Sequence, residues 1–386
     1  MQTANLRESR GEAIAKRFGW VRRMDEHFYK VHSQSGDFEY EVMSTEMGWL
    51  CSCPDAMFRG SKCKHIIAVE LSYILRKIVA REQVTIQPIS VSNCPSCNSE
   101  NVVKHGLRHN KCGDLQRFSC KGCGSRFVVN LGFEKVHSTP QAITSAMQLY
   151  FTGESLRSVQ KFLRLQGVNV SHVCVYKWIG KYVKLMEGYL DQIRPQVSDK
   201  WRTDELYLKV KGNRKYLFAM LDDETRFWIA QQITDNKGTS DVRPMFRAAK
   251  ERAGKTPAIL ISDGAHNFHL AYNREYWTHF KPRTEHIRDV HFAGHPHNNK
   301  MERFNGELRD REKTMRSLKT SETQILKGMQ IHHNFIRAHE GLDGRTPAEA
   351  CGIKVEGDNK WLTIIQNASH VPKLNSEKKS GCVPQI

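Results

Sequence analysis

The sequence predicts a multidomain chain, with a mixed α/β core preceded by small metal-binding modules and a helical region. Three observations carry that expectation. From about Lys200, "DELYLKVKGNRKYLFAMLDDETRFWIAQQIT" runs as three strands joined by polar turns, followed by a helix in "SDVRPMFRAAKERAG" and the short apolar strand "AILIS". Antiparallel strands, a crossover helix and a further strand make a mixed sheet. Upstream, eight of the eleven cysteines fall within Cys51–Cys97 and Cys112–Cys123. Between these regions, about 140–190 reads as three capped helices.

Charge narrows the partner. Lys and Arg total 59 against 41 Asp and Glu, a net charge of +18 and a pI near 9.4. Such a surplus points to a polyanion, most often nucleic acid. No apolar run approaches the roughly 20 residues a spanning helix needs, and "MQTANLRESR" is too polar to open a signal peptide. The chain is therefore expected to be soluble and cytoplasmic, on the nucleoid in a prokaryote.

In order along the chain, residues 1–90 form the first module. Two strand-like runs, "HFYKVHSQ" and "FEYEVMST", precede "CSCPDAMFRGSKCKH", and "HIIAVELSYILRKIVA" then reads as an amphipathic helix. Cys51, Cys53, Cys63 and His65 offer three thiolates and an imidazole, the donor set of a tetrahedral structural Zn²⁺. Cys-x-Cys, a gap, then Cys-x-His is the pattern of the SWIM zinc-finger family, which this stretch resembles. Residues 91–132 hold "CPSC" and "CKGC", so Cys94, Cys97, Cys120 and Cys123 make a second set of four, read as a zinc ribbon. Cys112, inside that loop, reads as a spectator, and Cys174, Cys351 and Cys382 as ordinary thiols.

Residues 133–198 fit a helix-turn-helix. Leu156, Val159, Phe162 and Leu163 supply one apolar face, and Val173, Tyr176 or Lys177, and Ile179 begin that of the next helix, with Gly167 at the turn and Ser171 as cap. The second helix offers Ser171, His172, Tyr176, Lys177 and Lys181 to DNA. Residues 199–352 form the α/β core, and 353–386 a loosely structured tail.

Within the core, Asp204 opens the first strand region, Asp263 ends "AILIS", and Glu302 begins the late helix "NNKMERFNGELRDREKTMRS". Acids on a first strand, a fourth strand and a late helix can converge at one sheet edge and hold two Mg²⁺ or Mn²⁺ ions for phosphodiester chemistry. On the helix, Arg309 and Lys313 each lie about 20° from Glu302 and Arg316 within about 40°, so Glu302 shares a stripe with cations. Met301, Phe304, Leu308 and Met315 form the apolar stripe, while Glu307, Asp310 and Glu312 read as solvated charges. Asp222 and Asp223 read as turn residues, and Glu205 as pointing away from Asp204.

Residues 91–350 resemble the DDE transposases and integrases of insertion sequences. "TDELYLKVKGNRKYLFAMLDDET" is similar to their first-aspartate region, and "NNKMERFNGELRDREKTMRS" to their glutamate helix, with a basic residue seven positions on at Arg309. "LQRFSCKGCGSRFVV" is similar to their N-terminal ribbons. The resemblance implies an RNase H-like core with a five-stranded mixed sheet and a Mg²⁺-dependent polynucleotidyl transferase. It also implies binding of element ends and target in duplex DNA, and a homodimer on that DNA. A catalytically silent, transposase-derived DNA-binding protein is the alternative. A zinc hydrolase is disfavoured because both cysteine clusters already have four ligands.

Overall fold

The computed structural model describes residues 2–370, apart from 80–83, 90–92, 129–131, 290–298, 315–317, 319–323 and isolated positions at 16, 18–19, 25–26, 37, 46–47, 60–61, 95, 111–112, 134–135 and 281–282. It folds into two compact units, one of Met1–Val84, Arg194–Thr323 and His333–Lys354, the other of Thr85–Ile193, Gln324–His332 and Val355–Ile386.

The chain begins with α1 (Gln2–Ala15), then a four-stranded antiparallel sheet of β1 (Val21–Arg23), β2 (Phe28–His32), β3 (Glu39–Thr45) and β4 (Gly48–Cys51) in that order. The short α2 (Pro54–Arg59) and the long α3 (Lys64–Val79) follow. Period-two alternation sends Tyr29, Val31 and Val42 inward against Ile14, Ile66 and Val69. The helix α1 has no counterpart in the sequence reading. It packs on α3 at Gly11, where a Cβ would stand 2.7 Å from Ile67 Cγ2, so only glycine allows that approach.

After β5 (Val84–Ile86) comes the ribbon, a three-stranded antiparallel sheet of β6 (Val102–Asn110), β7 (Gly113–Cys120) and β8 (Arg126–Val128). The helices α4 (Pro140–Thr152), α5 (Leu156–Leu165) and α6 (His172–Leu190) are capped by the Thr139, Ser155 and Ser171 hydroxyls, as their sequences predict. Gly167 makes the α5–α6 turn with φ +76°.

The core follows with β9 (Lys200–Val210), β10 (Asn213–Asp222), β11 (Trp228–Thr234), α7 (Thr239–Ala253), β12 (Ile259–Asp263), α8 (His266–Glu275), β13 (Glu285–Asp289) and α9 (Asn299–Glu312). The sheet order is β11-β10-β9-β12-β13, with β10 antiparallel to both neighbours and β12 parallel to β9 and to β13. This is the five-stranded mixed sheet expected of the α/β core. Ile259, Leu260, Ile261 and Ser262 are all buried, which is why β12 reads as a continuous apolar run rather than an alternating one.

The chain ends with α10 (Gln324–Ile331), a π-helical turn over His332–Ile336, the short α11 (Pro347–Ala350), β14 (Ile353–Val355) and α12 (Lys360–His370). The expected loose tail is thus partly wrong: α12 packs on α4 and α6, and the Trp361 indole N–H donates to Gln148 Oε1 at 2.8 Å. No helix among the described residues is long and apolar enough to cross a membrane.

Candidate metal centres and catalytic acids

Both cysteine clusters assemble. The ligand atoms of Cys51, Cys53, Cys63 and His65 lie within 4.8 Å of one another, as do those of Cys94, Cys97, Cys120 and Cys123. Bond lengths of about 2.3 Å to sulfur and 2.0–2.1 Å to nitrogen require tetrahedral edges of about 3.5–3.8 Å. Observed edges are 3.9 Å from His65 Nδ1 to the Cys51 and Cys63 sulfurs, and 3.6 and 3.5 Å for Cys94–Cys123 and Cys97–Cys120. His65 Nε2 is buried with no hydrogen-bond partner among the described residues, and its ring lies against Tyr40 at 4.5 Å, so packing aims Nδ1 at the thiols. The neighbouring Cys51 thiol lowers Cys63 to about 4, so one thiolate is favoured within this buried set. Soft donors at these separations fit a tetrahedral structural ion. Cys112 and Cys382 lie outside the described residues.

The acids come next. Asp204 lies mid-strand on β9, opposite Ala219 of β10. Parallel pairing sets Ile261 of β12 beside Arg202 of β9, and two residues further on Asp263, the last residue of β12, comes level with Asp204. Asp204 Oδ1 accepts from the Glu205 amide and Oδ2 from Asn305 Nδ2 of α9, both at 2.8 Å. Burial pushes Asp204 up to about 6 against those hydrogen bonds, and the negative charges of Asp263 and Glu205 add to the rise. Asp263 Oδ1 accepts the Ala265 amide at 3.2 Å, which shapes the turn into α8. Glu205, one residue on and therefore on the other sheet face, pairs with Lys237 at 3.7 Å, has no hydrogen-bond partner for Oε2 among the described residues, and is raised by burial and by Asp263. Among the described residues, the groups of three or more side chains close enough to hold a metal ion are the two cysteine sets, so the acids do not form a closed ligand set here.

The helix α9 buries Met301, Phe304 and Leu308 as expected, and Met315 and Arg316 fall outside the described residues. Its link to the acids is Asn305, 5% exposed, which the sequence reading passed over. The signal was its position three residues after Glu302, about 60° around the helix. Glu302 is exposed in the first turn and Arg309 is exposed further along. Among the described residues no hydrogen bond or ion pair joins Glu302 to either aspartate. Two of the acids read as solvated are held instead. Arg337 grips both oxygens of Glu307, and the Lys209 amide donates to Glu312 Oε1 at 2.6 Å. Lys313, expected at DNA, pairs with Asp310 at 2.8 Å, both exposed. Asp222 and Asp223, both expected in a turn, are buried; Asp222 is the last residue of β10, and Asp223 opens the turn. Asp222 accepts from Ser198 and Thr225, and Asp223 from Arg202 and Lys300.

In the helical region Ser171, Tyr176, Lys177 and Lys181 are exposed and His172 is half-buried; Tyr176, Lys177 and Lys181 lie on the accessible side of α6, whereas His172 is about 180° around the helix from Lys181. The apolar faces differ from expectation. Val159 and Leu163 are buried but Phe162 is 40% exposed, and on α6 the inward residues are Val175, Trp178, Ile179 and Tyr182 while Val173 is 48% exposed.

Residues 198–339 match the family model of a DDE domain, and residues 42–74 that of a SWIM zinc finger. The chain is 27% identical over 179 residues to the transposase for insertion sequence-like element IS431mec of Staphylococcus aureus, covering 46% of this chain and 75% of that protein. The same identity and coverage hold for the transposase for insertion sequence element IS257 in transposon Tn4003, also from Staphylococcus aureus. Among solved structures, the HTLV-2 integrase catalytic core domain in complex with magnesium is similar at 15% identity and a TM-score of 0.31, over 41% of this chain and 98% of that one. A simian T-cell lymphotropic virus intasome in complex with the PP2A regulatory subunit B56 gamma is similar at 12% identity and a TM-score of 0.28, over 50% of this chain and 63% of that one.

Proposed function

We propose, from the premise that this chain carries a DDE transposase domain behind a SWIM zinc finger, that it binds the ends of its mobile element and performs strand cleavage and transfer. Residues about 1–198 bind DNA, and Asp204, Asp263 and Glu302 form the catalytic triad of acids. The observation that carries the reading is the meeting of Asp204 on β9 with the charge of Asp263 and the side chain of Asn305 on α9, inside the span that matches the DDE model.

Bound Mg²⁺ or Mn²⁺ would neutralise charge on the scissile phosphate and acidify the attacking water or 3′-hydroxyl. Asp204 and Asp263 would supply oxygen donors to such an ion, with Glu302 as the third ligand. Asn305 holds Oδ2 of Asp204 while the Glu205 amide holds Oδ1, so the carboxylate is fixed in orientation. Arg309 presents a fork of donors to a DNA phosphate beside the acids. The two cysteine clusters hold structural zinc, and α6 contacts DNA through Ser171, His172, Tyr176, Lys177 and Lys181. The protein works as a homodimer on DNA in the cytoplasm.

The test is a cleavage assay on DNA bearing the element's own ends. Asp204→Asn, Asp263→Asn and Glu302→Gln should each abolish cleavage while leaving DNA binding intact. Asn305→Ala should weaken apparent metal affinity by about 10- to 100-fold, the usual cost of losing a partner that orients a ligand. Normal cleavage by Glu302→Gln would remove that residue from the triad. No cleavage by the wild type, with binding of the element's ends intact, would favour the silent DNA-binding protein instead.

A further inference from the structure

The ribbon extends well beyond its metal end. The strand β6 runs nine residues, Val102–Asn110, about 30 Å at the usual rise. Every residue from Val103 to His109 is exposed, so neither face of this strand is buried. Residues 102–128 contain Lys104, Arg108, Lys111, Arg117, Lys121 and Arg126 against the single acid Asp114.

Register decides which cations act together. The β6–β7 pairs are Val103 with Ser119, Lys104 with Phe118, Leu107 with Gln116 and Arg108 with Leu115, with a shift between Lys104 and Leu107. Gly106 sits in that bulge at φ +68°, a conformation glycine adopts without strain, and Gln116 Nε2 donates to its carbonyl at 2.9 Å. Directly paired residues share a face. Without the bulge, Lys104 and Arg108, four apart, would point the same way. With it, Arg108 crosses to the face of Arg117. On β8, Arg126 pairs with Ser119 and joins that face, whereas Phe127 pairs with Phe118 and stacks on it at 5.9 Å on the other. Arg108, Arg117 and Arg126 are therefore successive diagonal neighbours, about 7–8 Å apart at Cα.

We infer that the Arg108–Arg117–Arg126 face of this β-ribbon is a second duplex-DNA contact, in addition to α6, and that it enters a major groove. Two paired strands fit a groove about 12 Å wide, and guanidinium groups spread along one face reach phosphates or guanine edges. The inference rests on the proposed DNA-binding role of the chain.

The experiment measures binding of the full chain to a 30-bp duplex across a salt series. Arg108→Ala/Arg117→Ala/Arg126→Ala should flatten the slope of log affinity against log salt by about 2.7, at about 0.9 per phosphate contact. Lys104→Ala, on the opposite face, should keep a slope close to wild type, and both variants should retain their zinc. A benzophenone amino acid placed at Val103, on the arginine face, should cross-link to DNA. A triple variant with the wild-type slope, or Lys104→Ala as flat as the triple variant, overturns the assignment. Cross-links from Val103 to a second copy of the chain would make the edge a self-association surface and also overturn it. If cleavage and binding by the wild type are intact while the ribbon variants behave normally, only this inference falls. If the wild type binds no duplex, the transposase reading falls with it.

Discussion

A single side chain shows how a charge can look idle in a sequence and be committed in a fold. Glu307 sits on a helix dense with charges, and sequence spacing alone assigns it to solvent. In the structure Arg337 holds it, and although burial raises its carboxyl, the hydrogen bonds and charge of Arg337 lower it below the usual carboxylate range. A depressed folded pKa stabilises the protein above the unfolded value and loses that contribution as pH falls through the folded one. Both side chains are about a third or more exposed, at 32% and 40%, so screening limits the pair to about 0.5–1 kcal/mol. Glu307→Gln should therefore lower the melting temperature modestly at pH 7 and have little effect well below the unfolded pKa of about 4.3, while cleaving DNA normally. An equal loss at pH 7 and pH 3 in thermal melts would mean that shape, not charge, is what Glu307 supplies.

Among the elements, the strands were the most legible. β9, β10 and β11 alternate or turn polar where the chain reverses, and β12 is short and apolar because both its faces are covered. Helix ends were equally plain, since Thr139, Ser155 and Ser171 announce their caps. Helix faces were not. Phe162 and Val173 look like core residues, and nothing in a sequence marks an apolar side chain that the fold leaves outside. The helix α1 offered few apolar positions to read, and Asn305 was overlooked because a wheel centred on Glu302 draws the eye to cations. The choice of Asp204, Asp263 and Glu302 rests on resemblance to a known family, since their spacing does not identify a sheet edge. On α6, the cations chosen, Lys177 and Lys181, are exposed. Lys177→Ala/Lys181→Ala should flatten the salt dependence of DNA binding by about 1.8 if both lysines contact phosphate. An unchanged slope would move the DNA contact off this helix.

At the scale of the whole molecule, the N-terminal finger and the α/β core belong to one compact unit. Arg22, 9% exposed, bonds to Glu39 within the finger and to Glu285 at the start of β13, and Lys200 Nζ donates to the Met24 carbonyl at 3.1 Å. Metal in the first site should consequently steady more than its own loop. Purified protein should hold about two zinc ions per chain, and Cys51→Ser/Cys53→Ser should hold one and melt at a lower temperature, with the core signal shifting too. A core transition that ignores the loss would show the finger to be thermally independent.

The same arginine bears on how the protein is made. Arg22 and Glu285 are 263 residues apart in the chain, whereas Arg22 and Glu39 are separated by 17. At about 5–20 residues per second, the ribosome needs roughly 13–50 s to travel from one to the other. During that interval the finger has all four of its ligands and one of the two acids that hold its buried cation, so it can close while the strand it will rest on is still untranslated. Glu39 keeps Arg22 from waiting as an unpaired charge, and the newborn finger stands ready as a surface onto which β13 settles when it emerges.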